Sequence, residues 1–143
     1  MTRLVVDASV TVKWLFPERE GETDTAAALA ILRGVRDGRV RLFQPPHWLA
    51  ETLAVCARLA PETAEEDAED LLELVCTTVG HPAVYLTACR LAVVLGHHLF
   101  DTLYHAAALE TPGALLVTAD ERYALKAHAH GGLVRLADAP LTW

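Results

Sequence analysis

Arg3-Leu4-Val5-Val6-Asp7-Ala8-Ser9 and, far downstream, Ala114-Leu115-Leu116-Val117-Thr118-Ala119-Asp120 follow one pattern. In each, a short apolar run is closed by polar residues that include an aspartate. Such runs read as buried strands, so strands are expected at 3–6 and 114–118. Two weaker runs, Val40 to Phe43 and Leu133 to Leu136, extend the set. Between them the pattern turns helical. Asp7 or Ser9 can cap a short helix through Trp14-Leu15-Phe16, stopped at Pro17. An alanine-rich helix over 24–37 follows, with Gly38 after its end. Beyond Pro45-Pro46, helices are expected at 47–59, 62–79, 82–95, 101–110 and 120–129, with Pro61 and Pro82 at starts and Gly80 and Gly96 at ends. His97-His98-Leu99-Phe100 reads as a connector or short strand. Strands alternating with helices predict an α/β fold around a mainly parallel sheet. Right-handed crossovers would bring the strand ends to one edge.

The size of the chain, 143 residues, is that of one domain, so 1–143 is expected to fold as a unit. Hydrophobic residues make up 52 % of it, enough for a core without disulfides or a structural metal. No apolar run approaches the roughly 20 residues that span a bilayer, and the first one stops too early for a signal peptide. Cys56, Cys76 and Cys89 all fall in helix-like segments, are odd in number and form no Cys-x-x-Cys pair. They read as buried, reduced thiols. A cytosolic protein with no membrane partner is expected.

The net charge of −7 argues against a nucleic-acid partner, but the excess is local. Residues 62–73 (ETAEEDAEDLLE) hold seven acids and no base; without them 12 acids face 12 bases. That segment reads as a solvated helix face, with Leu71, Leu72 and Val75 as its apolar side. Arg33, Arg36, Arg39 and Arg41 form a basic stretch.

Four acids stand at separate points of the pattern: Asp7, Glu51, Asp101 and Asp120. Ligand sites in open parallel α/β sheets form outside the carboxyl ends of the strands, so one sheet could bring all four together. Asp7, Asp101 and Asp120 each precede a helical segment and can serve as N-caps. One carboxylate oxygen can cap while the other meets a cation. Glu51 reads as mid-helix, beside Trp48, Ala54 and Val55, with Arg58 two turns along as a possible partner. Two like charges 4 Å apart repel by roughly 4 kcal/mol at an effective dielectric of 20. Four carboxylates in one pocket therefore require protons or cations. Oxygen-only donors suit Mg²⁺ or Mn²⁺, ions that bind a phosphate oxygen and activate water. Metal-assisted phosphodiester hydrolysis is the leading expectation.

Ser9 and Thr118, each two residues from an aspartate, could orient carboxylates or coordinated waters, or simply hydrogen-bond at helix starts. His105 shares a helix face with Asp101 at i, i+4 and is a candidate nitrogen ligand that would favour a transition metal. His47, His81, His128 and His130 read as surface or loop residues. No zinc pattern, Gly-x-Ser-x-Gly elbow or glycine-rich phosphate loop is present.

Four blocks carry a family resemblance: Val6-Asp7-Ala8-Ser9 with Lys13-Trp14; Pro45-Pro46-His47-Trp48-Leu49-Ala50-Glu51; Phe100-Asp101-Thr102-Leu103-Tyr104 with Ala106-Ala107-Ala108; and Leu116-Val117-Thr118-Ala119-Asp120-Glu121-Arg122. In this order and spacing the chain resembles the PIN-domain ribonucleases, and among them the VapC-type toxins of bacterial type II toxin–antitoxin pairs. The resemblance spans nearly the whole chain. It implies a compact three-layer α/β/α sandwich and a Mg²⁺- or Mn²⁺-dependent endoribonuclease acting through a metal-activated water and leaving 5′-phosphate and 3′-hydroxyl ends. Asp7, Asp101 and Asp120 would hold metal most directly, with Glu51 assisting or holding a second ion. The implied partners are structured RNA such as tRNA or ribosomal RNA, a second copy in a homodimer, and a small antitoxin. The apolar side of Trp14-Leu15-Phe16 could meet that antitoxin or pack in the core. His105, Ala108 and Thr102 depart from the family's usual residues. Two other functions compete: a non-catalytic PIN-like module that binds RNA or protein, and a Mg²⁺-dependent phosphatase. The latter normally has a second aspartate where Ser9 stands.

Overall fold

A computed structural model describes residues 1–143. Its centre is the pair of runs that end at aspartates. β1 (Thr2–Val6) and β4 (Ala114–Thr118) lie side by side and parallel, with Val6 opposite Val117. Leu4, Val5, Val6, Leu116 and Val117 are fully buried, as strands covered on both faces must be. β2 (Val40–Gln44) and β3 (Cys76–Thr78) add on one side, β5 (Leu133–Arg135) on the other. The order is β3-β2-β1-β4-β5, and every pairing is parallel. The chain steps outward from β1 to β3, then crosses back to β4. The break between β1 and β4 is a topological switch point, where ligands bind at strand ends.

The helices are α1 (Ala8–Leu15), α2 (Thr25–Arg36), α3 (Trp48–Leu59), α4 (Ala64–Leu72), α5 (Pro82–Leu95), α6 (Leu99–Leu109) and α7 (Glu121–Ala127). Right-handed crossovers put α1 and α2 on one face of the sheet and α5 and α6 on the other, which gives the three layers. Trp14 belongs to the core: it is buried, and its indole donates to the Ala28 carbonyl at 2.8 Å, tying α1 to α2. Gly34 lets α2 lie close on β2, since a Cβ there would meet Val40 Cγ2 at 2.7 Å. No helix is long and apolar enough to cross a membrane.

Four sequence expectations are corrected. The helix over 62–79 ends at Leu72, and 76–78 is the edge strand β3. Carboxylates at Glu69, Asp70 and Glu73 crowd the negative end of that helix, while Val75, Thr77, Thr78 and Val79 are β-branched and favour a strand. Of its supposed apolar side only Leu71 is buried; Leu72 and Val75 are exposed. His97-His98-Leu99-Phe100 is neither connector nor strand throughout, because α6 begins at Leu99 and Asp101 sits inside its first turn. The three cysteines are free, but only Cys56 is buried; Cys76 lies in β3 and Cys89 is exposed.

Candidate metal centre

Asp7 leaves β1 and caps α1, its side chain accepting the Ser9 amide at 3.1 Å. The Ser9 hydroxyl donates to the same carboxylate oxygen, and the Thr118 hydroxyl donates to the other at 2.5 Å. Ser9 Oγ also accepts the Ala119 amide at 2.9 Å, so the ends of β1 and β4 are stitched together through side chains. Asp120 caps α7 by accepting the Tyr123 amide at 3.0 Å, and its own amide donates to Thr118 Oγ1 at 3.0 Å. Thr118 thus bridges two of the acids.

Asp101 comes from α6. His97 Nε2 lies 2.8 Å from its Oδ2. One ligand atom each of His97, Asp101 and Asp120 fall within 4.8 Å of one another, a group able to hold a metal ion. Asp7 adjoins this trio electrostatically. Its carboxyl is pushed up from 3.8 to about 6, chiefly by burial and further by the charges of Asp120 and Asp101, against the two hydroxyl bonds that lower it. Glu51 stands to one side, in the first turn of α3 rather than mid-helix. Its neighbour is His47 Nε2 at 3.4 Å, one turn back, and no ion pair with Arg58 forms.

Beneath the acids lies Tyr104, buried, with its hydroxyl unpartnered. Its phenol is pushed far up by burial, then by the charges of Glu51, Asp7 and Asp101. Asp7, Asp101 and Asp120 act on one another or on shared neighbours, whereas Glu51 is linked to them only through its charge on Tyr104. A buried hydroxyl with no partner is costly. A hydrated divalent ion would supply both the missing hydrogen-bond partner and the positive charge, so this donor set fits a divalent metal ion.

His105 is not a ligand. Fully buried, it places Nε2 2.7 Å from the Gly131 carbonyl and Nδ1 3.0 Å from the Tyr123 hydroxyl. The carbonyl only accepts, so Nε2 carries the proton and Nδ1 accepts from the phenol. Burial lowers its pKa, in keeping with a neutral core residue. His97 takes the place expected of His105, at i−4 instead of i+4 from Asp101. His47 is no simple surface residue either. Its Nε2 donates to the Phe100 carbonyl at 2.8 Å and its ring packs on Tyr104, which joins α3 to the start of α6.

The sequence matches the family model described as PIN domain over residues 4–129. No curated protein matches the chain. The matched span runs from β1 past α7, taking in four of the five strands and every acid just described, and by that match the chain belongs to the PIN domain family, whose members are in general metal-dependent nucleases.

Proposed function

We propose that the chain, as one PIN domain over 1–143, is a Mg²⁺- or Mn²⁺-dependent endoribonuclease and the toxin of a type II toxin–antitoxin pair, working as a homodimer in the cytosol. The observation that carries the nuclease reading is the Asp7 carboxyl. This buried carboxylate is held by the Ser9 and Thr118 hydroxyls in the neighbourhood of Asp101 and Asp120, so its ionised form is costly and a cation there would relieve the cost. Free cysteines support a reducing compartment.

Asp7, Asp101 and Asp120 would hold the ion, with Glu51 at its margin and His97 as an added nitrogen donor or as the group orienting Asp101. Bound there, the ion supplies charge for a phosphate oxygen and lowers the pKa of a water. The chain's own residues do the positioning. Ser9 and Thr118 fix both oxygens of Asp7. The Tyr123 amide fixes Asp120 and His97 fixes Asp101, while His47, bonded to the Phe100 carbonyl, lies 3.4 Å from Glu51. Thr11 and Thr52, hydroxyl to hydroxyl at 2.8 Å, lock α1 to α3 directly behind Asp7 and Glu51. Asp7, Asp101 and Asp120 thus keep their directions without a ligand, which reduces the reorganisation needed when substrate binds.

The test is cleavage of RNA by purified protein. Mg²⁺ or Mn²⁺ should support cutting and EDTA should stop it, with 5′-phosphate ends in the products. Asp7→Asn and Asp101→Asn should each lose at least about 100-fold in rate, the upper range for disturbing a metal's surroundings. Variants that cut as fast as the parent would remove the assignment. Glu51→Gln should lose less than Asp7→Asn in single-turnover rate at saturating metal. For the toxin role, a short neighbouring reading frame with a DNA-binding head should encode a protein that suppresses the cleavage; a frame whose product leaves cleavage untouched counts against it.

A further inference from the structure

Six hollows indent the surface, and three of them are well formed. One, about 800 Å³, lies between α7 and β5, but its one guanidinium, Arg135, is already held by Glu121 and Asp138. A small one, about 230 Å³, carries Arg36 and Arg41 at the amino ends of β1 and β2, the edge opposite the acids. The third, about 390 Å³, is lined by Ala92, Gly96, His97, His98, Arg122 and Lys126. Since His97 also belongs to the trio with Asp101 and Asp120, this hollow opens beside the metal centre.

Arg122 and Lys126 stand one turn apart on the same face of α7. Neither is paired with a carboxylate, whereas Lys13, Arg19, Arg39 and Arg135 all are. In a chain of net charge −7, two unpaired cations in a concavity next to a cluster of acids form a local reversal of sign. Lys126 makes only a bond to His97 Nδ1 at 3.3 Å and a longer one to the Gly96 carbonyl at 3.5 Å, both easily exchanged for an anion.

We propose that this hollow seats a phosphate of the RNA strand neighbouring the one to be cut, with Arg122 and Lys126 as its cationic contacts. This rests on the endoribonuclease reading above. An RNA strand approaching acids meets repulsion that the metal offsets at one phosphate only. A second grip beside it fixes the register of the strand, the usual role of backbone contacts. Arg122 supplies a planar two-point donor suited to phosphate, and Lys126 a mobile point charge. Because Lys126 also touches His97, Arg122 is the cleaner probe.

The experiment measures binding of a short fluorescein-labelled single-stranded RNA by anisotropy, in the non-cutting Asp7→Asn background, at fixed Mg²⁺ and varied NaCl. Removing one cation that neutralises a phosphate of a single strand lowers the slope of log K against log salt by about 0.7. Adding Arg122→Gln or Lys126→Gln should lower it by about that much, and both together by about 1.4. Arg36→Gln, at the opposite edge, should leave the slope unchanged. An unchanged slope in the double variant, with RNA still bound, overturns the phosphate seat and leaves the nuclease reading intact. Failure of the parent protein, at the same Mg²⁺, either to bind or to cut that RNA at any salt overturns both. With Asp7 intact, Arg122→Gln should keep the full Mg²⁺-dependent rise in melting temperature; loss of that rise would make Arg122 part of the metal centre and overturn the assignment.

Discussion

Asp7 shows most directly how function opposes stability. Its carboxyl titrates near 6 in the folded protein, chiefly because it is buried, and near 3.9 in an unfolded chain. Between those values the folded state holds a proton that the unfolded state has released. Stability in the absence of metal therefore falls as pH rises from about 4 to about 6, then levels off. Two pKa units correspond to about 3 kcal/mol. Asp7→Asn removes the charge and keeps the shape, and the Ser9 and Thr118 hydroxyls can turn to accept from its amide. In EDTA near neutral pH the variant should be more stable than the parent by up to about 3 kcal/mol, and the gap should close near pH 4. Saturating Mg²⁺ should reverse the order, since only the parent gains from binding. Urea melts of both proteins, with and without metal, check all three points. A variant less stable than the parent in EDTA at neutral pH would mean that the carboxylate is not strained where it lies.

At the scale of elements, what the sequence made legible was whatever its punctuation controls. The strands that close on Asp7 and Asp120 were readable because apolar runs end abruptly in polar residues, and α5 because Pro82 and Gly96 bracket it. β3 was hidden because it is short, exposed on its edge and preceded by an acidic helix whose period appeared to continue. The start of α6 was displaced by two residues, and with it His97 went unread, although its i, i+4 spacing to Asp101 was the signal already applied to His105. Glu51's neighbour His47 was missed for a similar reason, because the contact that fixes it, the Phe100 carbonyl, is 53 residues away. Gln44 was beyond sequence reasoning altogether. Fully buried at the end of β2, its side chain accepts the Val6 amide and donates to the Val6 carbonyl, both at 2.9 Å. It acts as one more rung between β1 and β2, just before Asp7. Gln44→Ala would leave both Val6 groups unpaired on that side, at about 1–3 kcal/mol for each group left buried and unsatisfied. The expected result is a marked loss of stability, with metal affinity weakened as well because Val6 carries Asp7. Gln44→Leu should fare no better, since it fills the space but restores neither bond. Hydrogen exchange at the Val6 amide reads the effect locally; unchanged protection in Gln44→Ala would deny the side chain this role.

For the whole molecule, the distribution of apolar and charged surface bears on the proposed homodimer. α5 is apolar nearly all round, and a helix of that kind is normally covered on every side. One side packs through Val84, Ala88 and Leu91 in the core or close to it. The other leaves Leu86, Cys89 and Val93 in the open at i, i+3, i+7, with Val93 83 % exposed and Val94 beside it. That spacing is the seam by which two helices pair, and α4, with its acids, supplies no such face. A two-fold axis on α5 would bury the stripe against its own copy, the commonest way in which soluble chains assemble. Sedimentation should then give twice the 15.5 kDa of one chain. Val93→Glu, changing a side chain that the monomer's core does not use, should give a folded monomer with an unchanged Mg²⁺-dependent melting shift, because the acids lie on other elements. A parent that sediments as a monomer at every concentration, or a Val93→Glu protein that stays dimeric, would place the contact elsewhere or remove it.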